Sequence, residues 1–284
     1  MKIARLDGHD SGPRFVVERD GAGWVALESL GIEAHTTAAV IAAHSQIERA
    51  VSASSGDVIE DPDFLRPIVA PSKMLAIGLN YVDHIRETNQ KHPDRPILFG
   101  KFPSSLNDPY GKNVLDQELT ERGDYEVELA VVIGKRTRRV SEREALHSVF
   151  GYTVANDVSA RDWQRADIQF DRSKSFDTFC PIGPWITTAD EVQDPQGLAL
   201  KSWVNGELRQ DSSTKEMLFG IAYLIHYLSR GMTLEPGDVL LSGTPSGVGS
   251  AMDPPRFLSP GDVVECEVEG LGRLRNAVVG PQDA

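Results

Sequence analysis

Glu126 and Glu128 stand two residues apart in GDYEVELAVVIGK, residues 123–135, a stretch otherwise apolar at Val127 and from Leu129 to Ile133. Side chains alternate across a strand, so both carboxylates point to one face. Like charges side by side in a partly buried place repel each other and resist desolvation unless a cation or a shared proton compensates. A third carboxylate, Asp157, follows in GYTVANDVSARDWQ. There a strand through Val154 is expected to give way to a helix that sets Asp157, Arg161 and Gln164 on one face, at i, i+4 and i+7. Three hard oxygen donors of this kind suit Mg²⁺ or Mn²⁺, ions that keep positions open for water and substrate. The same spacing equally describes two glutamates on a solvated strand face and an aspartate that caps a helix.

Other groups carry weaker chemistry. His84 and Glu87 in GLNYVDHIRE lie at i, i+3, close enough on a helical turn for the carboxylate to orient and charge an imidazole acting as general base. A surface salt bridge has the same spacing. KSFDTF places Lys174 four residues before Thr178, and SGTPSGVG offers Thr244 and exposed amides in a glycine-rich turn that could cradle a carboxylate. No Gly-Lys-Ser/Thr follows, so this turn is not a Walker loop.

The elements that must position these groups are mostly strands. Residues 1 to about 70 read as a small unit: strands in MKIARL, RFVVE and WVALESL, then a helix over AAVIAAHSQIERAVS with Val40, Ala43, Ile47 and Val51 on one face. EDPDFLRPIVAPSK, with three prolines, reads as a linker. From about residue 71 to the end come short strands (MLAIGLN, VELAVVIG, GYTVAN, LKSWVNGE, DVLLSG, DVVECEVEG) between glycine and proline turns. Two helices are expected, at SEREALHSVF with capping-box spacing of Ser141 and Glu144, and at EMLFGIAYLIHYLSR with Met217, Leu218, Ile221, Leu224, Ile225 and Leu228 along one side. Without regular strand-helix alternation, an α+β, predominantly β architecture is expected over a doubly wound sheet.

The 284 residues carry 29 Lys and Arg against 42 Asp and Glu, a net charge of -13, which argues against nucleic-acid or anionic-membrane partners. A small acidic substrate would therefore meet positive charge only where it is gathered locally. Cys180 and Cys266 lack metal-type spacing and a disulfide is not expected. The stretch MKIARLDGHD has no apolar signal core and no apolar run approaches 18 residues, so a soluble, cytoplasmic protein is the expectation. His226, within an apolar helix, reads as a satisfied core or interface residue. His9, His35, His44, His92 and His147 have no carboxylate or metal-type context.

In order and wording these motifs resemble the fumarylacetoacetate hydrolase family, from about Met74 onward: GLNYVDHIRE, DYEVELAVVIG, NDVSARDWQ, KSFDTFCPIGPW, VNGELRQ, HYLSRGMTLEPGDVLLSGTPSGVG and GDVVECEVEGLG. The resemblance implies a mixed β-roll catalytic domain, here with a small N-terminal domain, a bound Mg²⁺ or Mn²⁺, and a homodimer. It carries the metal onto Glu126, Glu128 and Asp157, and substrate contacts onto Tyr81, Arg161, Gln164, Thr178 and Thr244. Lys174 becomes a catalytic cation. His84 and Glu87 match the His-x-x-Glu pair that acylpyruvase-type members use on a mobile lid. The founding eukaryotic hydrolase has a further aspartate ligand before its tyrosine, where this chain has Leu79, Asn80 and Tyr81.

The function this implies is hydrolysis of a carbon-carbon bond in a 2,4-dioxo acid. His84 would activate water against the 4-carbonyl, and Lys174 and the cation would stabilise the departing pyruvate enolate. A diketo deoxy sugar acid joins acylpyruvates as substrate because PPRFLSPGDVVE resembles relatives that hydrolyse such acids. Oxaloacetate decarboxylation is the first rival, and isomerisation or decarboxylation of a 2-hydroxy-dienedioate in aromatic catabolism the second.

Overall fold

The computed structural model describes residues 1–8, 12–19, 21–53 and 58–284. At its centre lies the strand Val127–Ile133, every residue of which is buried. It runs antiparallel to Val149–Asn156 on one side and to Val239–Leu241 on the other. Burial on both faces explains its near-continuous apolar sequence. The period of two survives in the packing: Val127, Leu129, Val131 and Ile133 enter one core, Ala130 and Val132 the other. Glu126 and Glu128 share the parity of the second set.

This strand belongs to a mixed sheet of eleven. Beyond Val239–Leu241 the sheet continues in parallel to Met74–Gly78 and ends at Ile97–Lys101. On the other flank Val149–Asn156 pairs with Cys180–Thr188, which pairs in turn with Lys2–Leu6, followed by Arg14–Glu18 and Trp24–Ala26. The strands of the first 70 residues thus extend the sheet of the remaining chain, with Ile3 opposite Ile186. The helix Thr37–Ala53 buries Val40 and Ile47 in the core that holds Met74, Val132 and Val239. EDPDFLRPIVAPSK is tied down rather than loose: Phe64–Leu65 pairs with Arg5 and Leu6, and Ile68 is buried. Its prolines forbid a helix but are tolerated at a sheet edge.

A second sheet of five strands (order Glu207–Ser213, Ala199–Val204, Val263–Val268, Gly272–Val279, Asn113–Val114) covers the opposite face with the helix Ile221–Ser229. Leu200, Val264, Leu274, Ile221, Leu224 and Leu228 meet Leu129 and Val131 there. The architecture is the predominantly β, mixed one expected.

Two helices differ from expectation. SEREALHSVF forms a 3-10 turn, Glu142–Ser148, and its Ser141 hydroxyl bonds the Glu144 carboxylate at 3.1 Å rather than a backbone amide. Val149 and Phe150 are drawn into the sheet, which leaves no room for a full helix. The second helix starts at Ile221, because the amides of Leu218 and Phe219 bond the backbone and side chain of Asn80 at 2.7 and 2.9 Å. Cys180 and Cys266 are free and buried. His226 is satisfied through Nδ1 by the Val140 carbonyl at 2.7 Å. His9 lies outside the described residues. Among the described residues no helix is long and apolar enough to cross a membrane.

Candidate metal centre and active site

Antiparallel register brings the three carboxylates together. Val127 pairs with Asn156, so Asp157, the next residue, lies beside Glu126 and donates its amide to the Glu126 carbonyl at 2.9 Å. Asp157 does not open a helix. The helix is Arg161–Ala166, and Arg161 and Gln164 share its face without the aspartate. One oxygen each from Glu126, Glu128 and Asp157 fall within 4.8 Å of one another, and all three residues are buried. Three buried carboxylates are the hard donor set a small divalent cation takes, and they leave positions for water and substrate.

Cations surround this cluster. Lys174 Nζ lies 2.5 Å from Glu126 Oε2 and 2.8 Å from Asp157 Oδ2. Arg161 approaches Glu126 Oε1 at 2.6 Å and Asp124 Oδ2 at 2.9 Å, and donates to Gln164 Oε1 at 3.1 Å. Burial alone would raise the Glu126 pKa, but Lys174, then Arg161 and His84, outweigh it and hold the carboxyl at about 2. Glu128 behaves oppositely: burial, then Asp157 and Glu126, push it well above the carboxylate range, and Lys174 and the Gly243 amide, at 2.8 Å, offset this only in part. Burial would lower Lys174, yet Asp157 and Glu126 raise it, so the ammonium stays charged.

The turn SGTPSGVG supplies the rest of the frame. Gly243, at φ +99°, has Asn80 Cβ only 2.8 Å from where a side chain would start, which reserves the position for glycine. Thr244 Oγ1 donates to the Val127 carbonyl at 2.9 Å and accepts from Gln210 at 2.8 Å. The Gly247 amide donates to Glu87 Oε2 at 2.9 Å, while Glu87 Oε1 meets His84 Nδ1 at 2.7 Å. His84 is therefore a buried, oriented imidazole on the helix Val82–Glu87, not half of a surface salt bridge.

A cavity of about 610 Å³ is lined by His84, Glu87, Glu126, Glu128, Arg161, Gln164, Lys174 and Thr244, with Ile77, Phe99 and Phe170 forming apolar wall. Two residues expected at the substrate stand apart from that lining. Tyr81 is fully buried, its phenol pKa raised by burial and then by Glu128. Thr178, at φ +69°, accepts the Val114 amide at 2.8 Å through Oγ1. Lys101, Asp124, Gln210 and Arg165 also frame the site and were not singled out by spacing. The one signal for Lys101 is a lysine closing the apolar run ILFGK.

Residues 73–279 match the domain described as fumarylacetoacetate (FAA) hydrolase C-terminal. A Bos taurus protein named oxaloacetate tautomerase FAHD2B, mitochondrial, is 50% identical over 218 residues, 76% of this chain and 69% of that protein. The structure of a 5-carboxymethyl-2-hydroxymuconate delta-isomerase from Mycobacterium smegmatis is similar at a TM-score of 0.78 and 37% identity, over 99% of each chain. Maleylpyruvate hydrolase from Sphingobium sp. SYK-6, solved in complex with manganese (II) ion and pyruvate, is similar at 0.81 and 31% identity, over 99% of each chain. The match runs through every strand that carries the carboxylate cluster, and the chain belongs to the fumarylacetoacetate hydrolase family.

Proposed function

We propose that the protein is a divalent-metal-dependent enzyme that shifts a proton between carbon and oxygen of a small 2-oxo acid, interconverting its keto and enol forms, with oxaloacetate as substrate. The observation that carries this reading is the His84 imidazole, fixed by Glu87 and opening on the same cavity as Glu126, Glu128 and Lys174. The 50% identity to a protein named oxaloacetate tautomerase supports the choice of substrate. A cation held by Glu126, Glu128 and Asp157 would supply a Lewis acid that makes the carbon next to the 2-oxo group acidic. His84 takes the carbon-bound proton through the ring nitrogen that Glu87 leaves free, and Glu87 stabilises the imidazolium that forms. The enolate oxygen gains a proton from solvent as the imidazolium gives its own back to solvent, and the reverse sequence returns the keto form. Lys174, kept charged by its neighbours, faces the oxygen on which negative charge develops. Arg161, Gln164 and Thr244 orient the acid group.

Hydrolysis of a carbon-carbon bond in a 2,4-dioxo acid is the second reading, favoured by the similarity to maleylpyruvate hydrolase. In it the same His84 would deprotonate water. Decarboxylation of oxaloacetate calls on no base and leaves the His84–Glu87 pair without a task. Following enol-oxaloacetate decay by ultraviolet absorbance, and carbon-3 deuterium exchange by NMR, with Mg²⁺ or Mn²⁺, tests the leading reading. Acylpyruvate cleavage without faster tautomerisation would replace it with the second.

A further inference from the structure

His84, Arg161, Lys174 and Arg165 all line the cavity. Three of them are engaged: His84 by Glu87, Arg161 by Asp124 and Glu126, Lys174 by Glu126 and Asp157. Arg165 is exposed, and its side chain makes no ion pair or hydrogen bond with any described residue. It sits four residues after Arg161 on the helix Arg161–Ala166, so the two residues share a face and their backbone positions are about 6 Å apart along the axis. Arg161 meets the carboxylate cluster at its end of that face. Arg165 lies one turn further out, at the cavity mouth.

We infer that Arg165 is the specificity-determining residue for a second carboxylate, and that the site is built for 2-oxo dicarboxylates of about four carbons. This rests on the proposed reading that a 2-oxo acid end lies at Glu126, Glu128 and Asp157. With that end in place, the far carboxylate of a short diacid falls about one helical turn away, within reach of the Arg165 side chain. A guanidinium fork binds carboxylate through two parallel hydrogen bonds, which gives both strength and direction. The apolar part of the lining, Phe99, Phe170 and Ile77, offers a carboxylate nothing, so among the lining cations Arg165 is the one whose charge is left to meet a charged tail. A monocarboxylic 2-oxo acid with an apolar tail would use the aromatic wall and leave Arg165 idle.

Titration calorimetry of the full chain with saturating Mg²⁺ tests this, using malate and lactate as a four-carbon diacid and its monoacid counterpart. Wild type binds malate more tightly than lactate. Arg165→Met weakens malate about 10- to 100-fold and leaves lactate unchanged, while Arg165→Lys recovers part of the loss. With oxaloacetate as substrate, KM rises and kcat holds, because the contact is equal in ground and transition states. An unchanged melting temperature for Arg165→Met shows that the effect is local. Malate affinity unaffected by Arg165→Met, or wild type that does not prefer malate, overturns the assignment. Should wild type fail to tautomerise oxaloacetate yet lose its malate preference on Arg165→Met, the reaction assignment falls and the role of Arg165 stands.

Discussion

Nζ of Lys101 lies 2.7 Å from Oδ1 of Asp157, with both side chains wholly shielded from solvent. The same ammonium donates to the carbonyls of Phe179, at 3.1 Å, and Lys174. Three donors meet three acceptors, so the charge is satisfied without water. Asp157 consequently stands between two ammonium groups, Lys101 on Oδ1 and Lys174 on Oδ2. Lys101 ties the carboxylate to the segment that carries Lys174, and a bound cation would compete with Lys174 rather than with Lys101.

Lys101→Met should therefore destabilise the metal-free fold, by up to about 3–5 kcal/mol, because it takes from the buried Asp157 one of its two ammonium partners and leaves Oδ1 unmatched. It also adds one uncompensated negative charge beside the cluster. Mg²⁺ should then raise the melting temperature of the variant by more than it raises that of wild type. Thermal melts with and without Mg²⁺ measure both, and an equal Mg²⁺ effect in the two proteins would remove Lys101 from the metal site.

Neutralising the two glutamates should have opposite consequences for the metal-free protein. Glu126→Gln strips Lys174 and Arg161 of a buried partner and should lower stability by about 3–5 kcal/mol. Glu128→Gln replaces a carboxyl that burial and its acidic neighbours already push toward the neutral form, so stability should hold or rise. Both variants should bind Mg²⁺ more weakly. Urea titrations give the first quantity and calorimetry the second; equal destabilisation by both changes would contradict the charge distribution described here.

The same distribution sets a pH dependence. Glu126, held at about 2 against an ordinary 4.5, stabilises the metal-free fold above 4.5, and that contribution is lost as pH falls toward 2. Glu128 works the other way: the folded chain keeps a proton that the unfolded chain has released, so metal-free stability declines as pH rises from the ordinary carboxylate range toward its raised value. Metal ligation requires the deprotonated form, so Mg²⁺ affinity should climb with pH and binding should release a proton. Calorimetry in buffers of different ionisation enthalpy detects that proton, and identical heats in all of them would exclude it.

Loss of the imidazole should be visible in the proton shift itself. His84→Ala should slow carbon-3 exchange of oxaloacetate by about 100- to 10,000-fold, the usual worth of a positioned base. Glu87→Gln should slow it less, since the ring remains while its orienting charge is gone. Exchange rates measured by NMR in D₂O settle both, and wild-type rates in His84→Ala would assign the proton to another group.

Much of the site is legible in sequence because its chemistry is local. Glu128 within an apolar strand and Glu126 just before it are out of place, and His84 and Glu87 reach each other within one turn. What eludes sequence is set by long-range contact. The start of the helix at Ile221 depends on Asn80, 139 residues from Phe219. Lys101 reads as an ordinary strand-end lysine until Asp157 is folded against it, 56 residues away. Thr178 follows Lys174 closely in sequence, yet its hydroxyl takes an amide from the strand Asn113–Val114. Nor does any local pattern announce that Lys2–Leu6 pairs with Cys180–Thr188.

That last pairing bears on how the protein can be cut. A fragment limited to residues 73–279, the stretch that matches the family domain, would bare the flank of Cys180–Thr188 now covered by Lys2–Leu6, with Ile182 and Ile186 behind it. An unpaired, apolar strand edge is a template for other chains. Such an excised module is expected to come out of cells as aggregate unless another segment is grafted onto that flank, which makes the leading strands a built-in solubility guard for the family domain.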